Sequence, residues 1–303
     1  MKKRVLSLFL AFALCLGLSA MAGAEGTAEG TAENVAEVTI SDGTTTKYAD
    51  IEQAFTAAQK AESAAVKLLT NVEISRDYHY GIRLKSGNIT LDLNGHTIKT
   101  TGGASDFVPL KAVFYIEGVQ KTEDSEGSKI SLTVRNSTGD GKIVQPNGGQ
   151  AINVGSEGTL TVESGVTIEV TSDKESIPTS STSIITDKNC AVFLNGGGTA
   201  NILGGTLTGK QGIYVKNGTL TVSGGTICGN NSYALWVAGG TAVLSGGTFS
   251  KIKLEGSQTL EGLLAEGKAF QYTDGTGGPD YTAQSVEREV KVVDGQAPVT
   301  YVN

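Results

Sequence analysis

From residue 82 onward the chain repeats one short phrase. A strand-like triplet recurs as Ile82-Arg83-Leu84, Phe114-Tyr115-Ile116, Ile152-Asn153-Val154, Val192-Phe193-Leu194, Ile213-Tyr214-Val215, Leu235-Trp236-Val237 and Ile252-Lys253-Leu254. A glycine follows most copies. Then comes a second alternating run such as Thr219-Leu220-Thr221-Val222, and then Gly-Gly-Thr opening a third. The clean Gly-Gly-Thr copies begin at 204, 224 and 246, so the period is 20 and then 22 residues. A repeat of that length built from three short strands is one coil of a parallel β-solenoid. Each strand alternates, so Leu220 and Val222 face in while Thr219 and Thr221 face out. One coil cannot bury its inner row alone. Stacked coils can, because each backbone pairs with its neighbours at about 4.8 Å. Sharp corners in every coil need φ > 0, which explains 41 Gly beside only 5 Pro.

The ends read differently. Met1-Lys2-Lys3-Arg4, an apolar run from Val5 to about Ala20 and the small-x-small site Ala22-Gly23-Ala24 predict a secretory signal peptide over 1–24. Its removal leaves 21 Lys and Arg against 31 Asp and Glu, a formal charge of −10. That balance argues against nucleic acid as a partner and favours solubility. No membrane span is expected once the signal peptide is gone, and the expected location is extracellular, with surface association open. Cys190 and Cys228 do not occupy stacked repeat positions, so no disulfide is predicted between them.

Residues 25–37 are acidic and of low complexity and read as a linker. Residues 38–80 read as an N-terminal cap: a strand and turn around Asp42-Gly43, then a helix near 48–62 capped by Asp50, with Ile51, Phe55 and Ala58 at helical spacing. The coils are expected over 81–250, interrupted by insertions at Glu117–Ser128 and Thr171–Asn189. Residues 251–303 are expected to hold the last coil and a C-terminal cap. Within them a short helix is predicted over Leu260–Gly267, with strands at Ala269–Tyr272 and Ser285–Val293.

Val66-Lys67-Leu68-Leu69, then Ile89-Thr90-Leu91-Asp92-Leu93-Asn94-Gly95-His96-Thr97-Ile98, then the repeated Gly-Gly-Thr coils, resemble the secreted pectin-lyase-like proteins of Gram-positive gut bacteria. The resemblance covers about residues 48–272. It implies an all-β fold: a right-handed, single-stranded parallel β-helix. These sequence features are structural and do not choose among the lyases, hydrolases, tailspikes and non-catalytic adhesin modules of that superfamily.

If the coils stack in register, the middle residues of the first strands form one exterior column: Arg83, Tyr115, Asn153, Phe193, Tyr214, Trp236 and Lys253. Sugar rings stack on exposed aromatic faces while polar neighbours bond their hydroxyls. The column, above all Tyr214 and Trp236 with Tyr115 and Phe193 extending it, is therefore the candidate glycan-binding strip. The bland reading is that these rings only stabilise neighbouring coils, or that another segment packs over them. On the second strands, Thr90 is expected beside Ser131 and Thr159, and Asp92 beside Thr133 and Thr161.

Enzymes of such folds use clustered carboxylates on Ca²⁺ with a base, or paired carboxylates at a set separation. Here Asp92 is read as facing outward near Arg83, a single acid near a single base. His96, in Asn94-Gly95-His96-Thr97, reads as a turn residue. No metal-ligand spacing, nucleophile elbow or phosphate loop appears. The reading is a secreted, non-enzymatic surface or adhesion module for a polysaccharide or a host or bacterial surface glycan, with no catalytic residue and no cofactor. The alternative is a polysaccharide lyase, which would need Ca²⁺, or a glycoside hydrolase. A structural spacer is the third.

Overall fold

The computed structural model describes residues 33–75, 81–101, 112–146, 148–171 and 189–296. The expected signal peptide lies outside these residues, as do most of the expected linker and of the insertion at 171–189. From Ser63 the chain cycles through three sheets in constant order. Sheet 1 stacks Ile82–Leu84, Ala112–Ile116, Gln150–Val154, Cys190–Leu194, Gln211–Val215, Leu235–Val237 and Ile252–Leu254. Sheet 2 takes the next strand of each coil, from Ser63–Leu68 and Gly87–Asp92 through Thr241–Leu244. Sheet 3 takes the third, from Val72–Ser75 and Thr97–Thr101 through Thr248–Phe249. All neighbours in these stacks are parallel, as between Gly198–Ile202 and Gly218–Val222.

The alternation in the sequence accounts for the core. Leu132, Leu160, Ala200 and Leu220 stack on sheet 2, while Ile98, Ile143, Ile168, Leu207 and Ile227 stack on sheet 3. All of them are fully buried. Each buried leucine or isoleucine contributes about 1.5–3 kcal/mol relative to exposure.

The parallel stack starts before residue 81, where Val66-Lys67-Leu68 reads in the sequence as a first or incomplete coil. Ser63–Leu68 pairs with Gly87–Asp92 and Val72–Ser75 with Thr97–Thr101, forming an incomplete first coil. The first strand, Ala36–Ile40, reaches into the expected linker. It pairs antiparallel with Thr45–Tyr48 and with Ser63–Leu68. Helix α1 (Ile51–Ala58) buries Ile51, Ala54, Phe55 and Ala58, with Asp50 accepting from the Gln53 N–H at its start. Phe55 meets the core ring of Phe114 edge-on at 5.4 Å.

Just past α1, Gln59 acts on an open strand edge. Its Nε2 donates to the Arg83 carbonyl (3.1 Å) and its Oε1 accepts from the Lys85 N–H (2.7 Å). The side-chain amide thus stands where a neighbouring strand would bond Ile82–Leu84. Gln59→Ala is expected to lower stability by about 1–3 kcal/mol, two hydrogen bonds at about 1 kcal/mol each plus part of the desolvation left behind. Urea unfolding of wild type and variant measures it.

At the other end the pairing turns antiparallel. Ser285–Val286 pairs with Ile252–Leu254, and Val290–Asp294 pairs with both Thr248–Phe249 and Lys268–Tyr272. The short helix α2 (Leu260–Leu263) buries Leu260 and Leu263. The helix expected beyond 255 is present but shorter than Leu260–Gly267, and the strand at Ala269–Tyr272 is present. The strand expected over Ser285–Val293 is broken into Ser285–Val286 and Val290–Asp294, which join different sheets.

Candidate functional site

The first-strand column is in register along its whole length. Arg83 pairs with Tyr115, Tyr115 with Asn153, Asn153 with Phe193, Phe193 with Tyr214, Tyr214 with Trp236 and Trp236 with Lys253. Its exposure differs from the expectation. Phe193 is 2% and Tyr214 7% exposed, and both pack with Cys190 in a small apolar cluster apart from the main core. Part of this burial is geometric. Rings on successive coils lie about one strand spacing apart, so they present their faces to each other. Phe193 and Tyr214 are stacked at 5.3 Å with planes 7° apart, and Trp236 leans on Tyr214 at 5.2 Å. Burial pushes the Tyr214 phenol pKa up, helped by the charge of Glu255.

Trp236 is half-buried and enclosed. The Lys253 ammonium sits 4.2 Å from its ring centre, Tyr233 approaches its edge, and its indole N–H donates to Glu255 (2.8 Å). These rings brace the coils against one another; Phe193 and Tyr214 offer no open face for a sugar.

The other half of the column lines a concavity, although Tyr115 (9% exposed) and Asn153 (8%) are themselves about as buried as Tyr214. A cleft of about 190 Å³ lies over Arg83, Tyr115 and Asn153, joined by Lys85, Glu117, Gly155 and Asn195. These last four are the next outward row, two residues further along each strand. Their backbones extend the ladder: Glu117 N–H to the Leu84 carbonyl, Gly155 N–H to Ile116 and Asn195 N–H to Val154. Arg83 stands 6.0 Å from the Tyr115 ring centre. Tyr115 and Asn153 are more than nine-tenths buried, forming the cleft wall, while Arg83 is exposed.

Gly155 makes room for the cleft. A Cβ there would stand 2.9 Å from the Glu117 Oε1, because the Glu117 side chain lies across it. Glu117 opens the insertion that the sequence places at Glu117–Ser128, and its form is specific rather than irregular. Glu117–Ser128 folds back as a small hairpin with bridges Val119–Ser128 and Thr122–Ser125. Ser128 Oγ ties it to the Lys85 carbonyl at 2.6 Å.

No family model, curated protein or solved structure matches this chain. The site must therefore be read from its own chemistry.

Asp92 is the acid that the sequence set near Arg83, and the structure corrects that reading. It is 3% exposed, accepts from the N–H groups of Asn94 and Ser137 (3.0 Å each) and pairs with Arg135 at 3.3 Å. It is a turn-holding carboxylate. Beside it, Gly95 donates to Asn136 Oδ1, while the His96 main chain bonds Leu93 and Lys142. The register on sheet 2 is also corrected: Thr90 pairs with Thr133 and Asp92 with Arg135, while Ser131 pairs with Asn88. Among the described residues no three His, Cys, Asp or Glu side chains are placed to hold a metal ion. Cys190 and Cys228 are both free thiols. No described helix is long and apolar enough to cross a membrane.

Lys85, Glu117 and Asn195 escaped the sequence reading. The signal was available, since they follow the first column at the outward period of two. Their strands end in differing turns and one insertion, which hid the shared row.

Proposed function

We propose that this chain is a secreted, non-enzymatic surface module that binds carbohydrate in the Tyr115–Asn153 cleft. It is read as a right-handed parallel β-helix of the pectin-lyase-like kind, closed at its N-terminal end by α1 as a helical cap. The supporting observation is the composition of that cleft. One aromatic ring, two carboxamides (Asn153 and Asn195), one carboxylate and two cations converge on a single small concavity. Sugars need this mix: an apolar wall for the ring carbons and fixed donors and acceptors for the hydroxyls. The ligand is a polysaccharide or surface glycan, and the site needs no cofactor.

The test is a polysaccharide-array assay of wild type, Tyr115→Ala, Asn153→Ala and Trp236→Ala, with the fold checked by circular dichroism. Tyr115→Ala and Asn153→Ala are each expected to weaken binding by about tenfold or more, the worth of one stacked ring or one well-placed hydrogen bond. Trp236→Ala should leave binding near wild type. Binding that is lost with Trp236 and kept without Tyr115 would return the site to the far end of the column. An array with no binder leaves a structural spacer.

A further inference from the structure

We infer that the cleft selects a zwitterionic sugar residue, one carrying a free amino group and an acidic substituent. This rests on the carbohydrate-binding reading and names the ligand class for the same site. Size is the first argument. At about 190 Å³ the cleft falls below the roughly 300–1,000 Å³ of pockets that hold larger ligands. It suits one ring at a time.

Charge is the second. Lys85 and Glu117 are neighbours in one outward row, on adjacent coils. Two other opposite-charge register pairs on neighbouring parallel strands join, whereas a third, Lys67 with Asp92, does not. Lys99 and Glu73 are register partners and meet at 2.7 Å, and Arg135 and Asp92 are register partners and meet at 3.3 Å. Lys85 and Glu117 form no ion pair with each other or with any other described residue.

Glu117 lies across Gly155, on the side away from Lys85, in space that a Cβ would fill. The cleft therefore keeps a cation and an anion on separate walls. An ammonium placed at Glu117 and an acidic group placed at Lys85 would each gain a charge-assisted hydrogen bond. A neutral sugar gains neither, and a purely acidic one sets its charge against Glu117.

The experiment titrates the full chain by calorimetry with four probes: methyl glucoside, glucosamine, glucose 6-sulfate and glucosamine 6-sulfate. Glucosamine 6-sulfate is expected to bind about tenfold or more tightly than each of the others, one charge-assisted hydrogen bond being enough for that ratio. Glu117→Gln should erase its advantage over glucose 6-sulfate. Lys85→Met should reduce its advantage over glucosamine. If either variant fails to fold, wild type in 0.5 M salt replaces it, and the preference should shrink as the exposed charges are screened. Equal binding of all four probes, lost in Tyr115→Ala, would overturn the inference and leave the carbohydrate reading standing. A preference untouched by Glu117→Gln or by salt would overturn it too. No binding of any probe overturns the inference; the polysaccharide array then decides the broader reading separately.

Discussion

Gly225→Ala is expected to cost about 3 kcal/mol or more, a left-handed backbone penalty plus a steric one. Gly205, Gly225 and Gly247 open the third strand of successive coils with φ of 84°, 95° and 98°. An alanine at 225 would pay the conformational term that any L side chain meets there. Its Cβ would also stand 2.8 Å from the Gly205 carbonyl oxygen and 2.9 Å from the Gly204 carbonyl carbon. That oxygen cannot retreat freely, because it already accepts from the Thr226 N–H at 2.9 Å. Gly43→Ala is the matched control. Its φ is 87°, but nothing lies within 4 Å of the added Cβ. It should cost only the conformational part, about 1–2 kcal/mol. Urea unfolding of both variants separates the terms. Equal losses would mean that the stacked backbones yield, and that the close coil spacing does not select glycine.

Asp92→Ala is expected to cost about 3–5 kcal/mol, since it strips two backbone donors and a cation of their shared partner. The carboxylate joins two coils: its own turn through Asn94, and the next coil through both Ser137 and Arg135. Asp92→Asn keeps an acceptor for the N–H groups and loses only the charge. With Arg135 half exposed, that change should cost about 1 kcal/mol or less. Glycan binding should persist in Asp92→Asn. Loss of binding in the folded Asn variant would restore Asp92 to the candidate site.

The repeat made much of this architecture legible. Alternation at period two, with glycines at each corner, assigns the strands of the clean coils, their inner faces and the full register of the first-strand column from Arg83 to Lys253. Alternation has a blind spot, however. A shift of two residues leaves every side chain on the same face. Thr90 could therefore be matched with Ser131 on paper, whereas the backbone and the Asn88–Ser131 side-chain bond (2.8 Å) place it against Thr133.

Exposure was beyond the sequence for a different reason. Outward on a strand means away from the coil interior, and says nothing of what the neighbouring rings do. Phe193 and Tyr214 turned their faces to each other along the stack. The cleft depended on tertiary structure most of all. It exists because Gly155 lacks a side chain where Glu117, from the coil before, lies down. That is a relation between residues 38 positions apart in the chain and in contact in space. By itself, the sequence determined which residues line each face of the solenoid, because backbone period and glycine stereochemistry are local. Which of those outward residues meet solvent was decided only by packing between coils, because burial is a property of neighbours that the local pattern does not name.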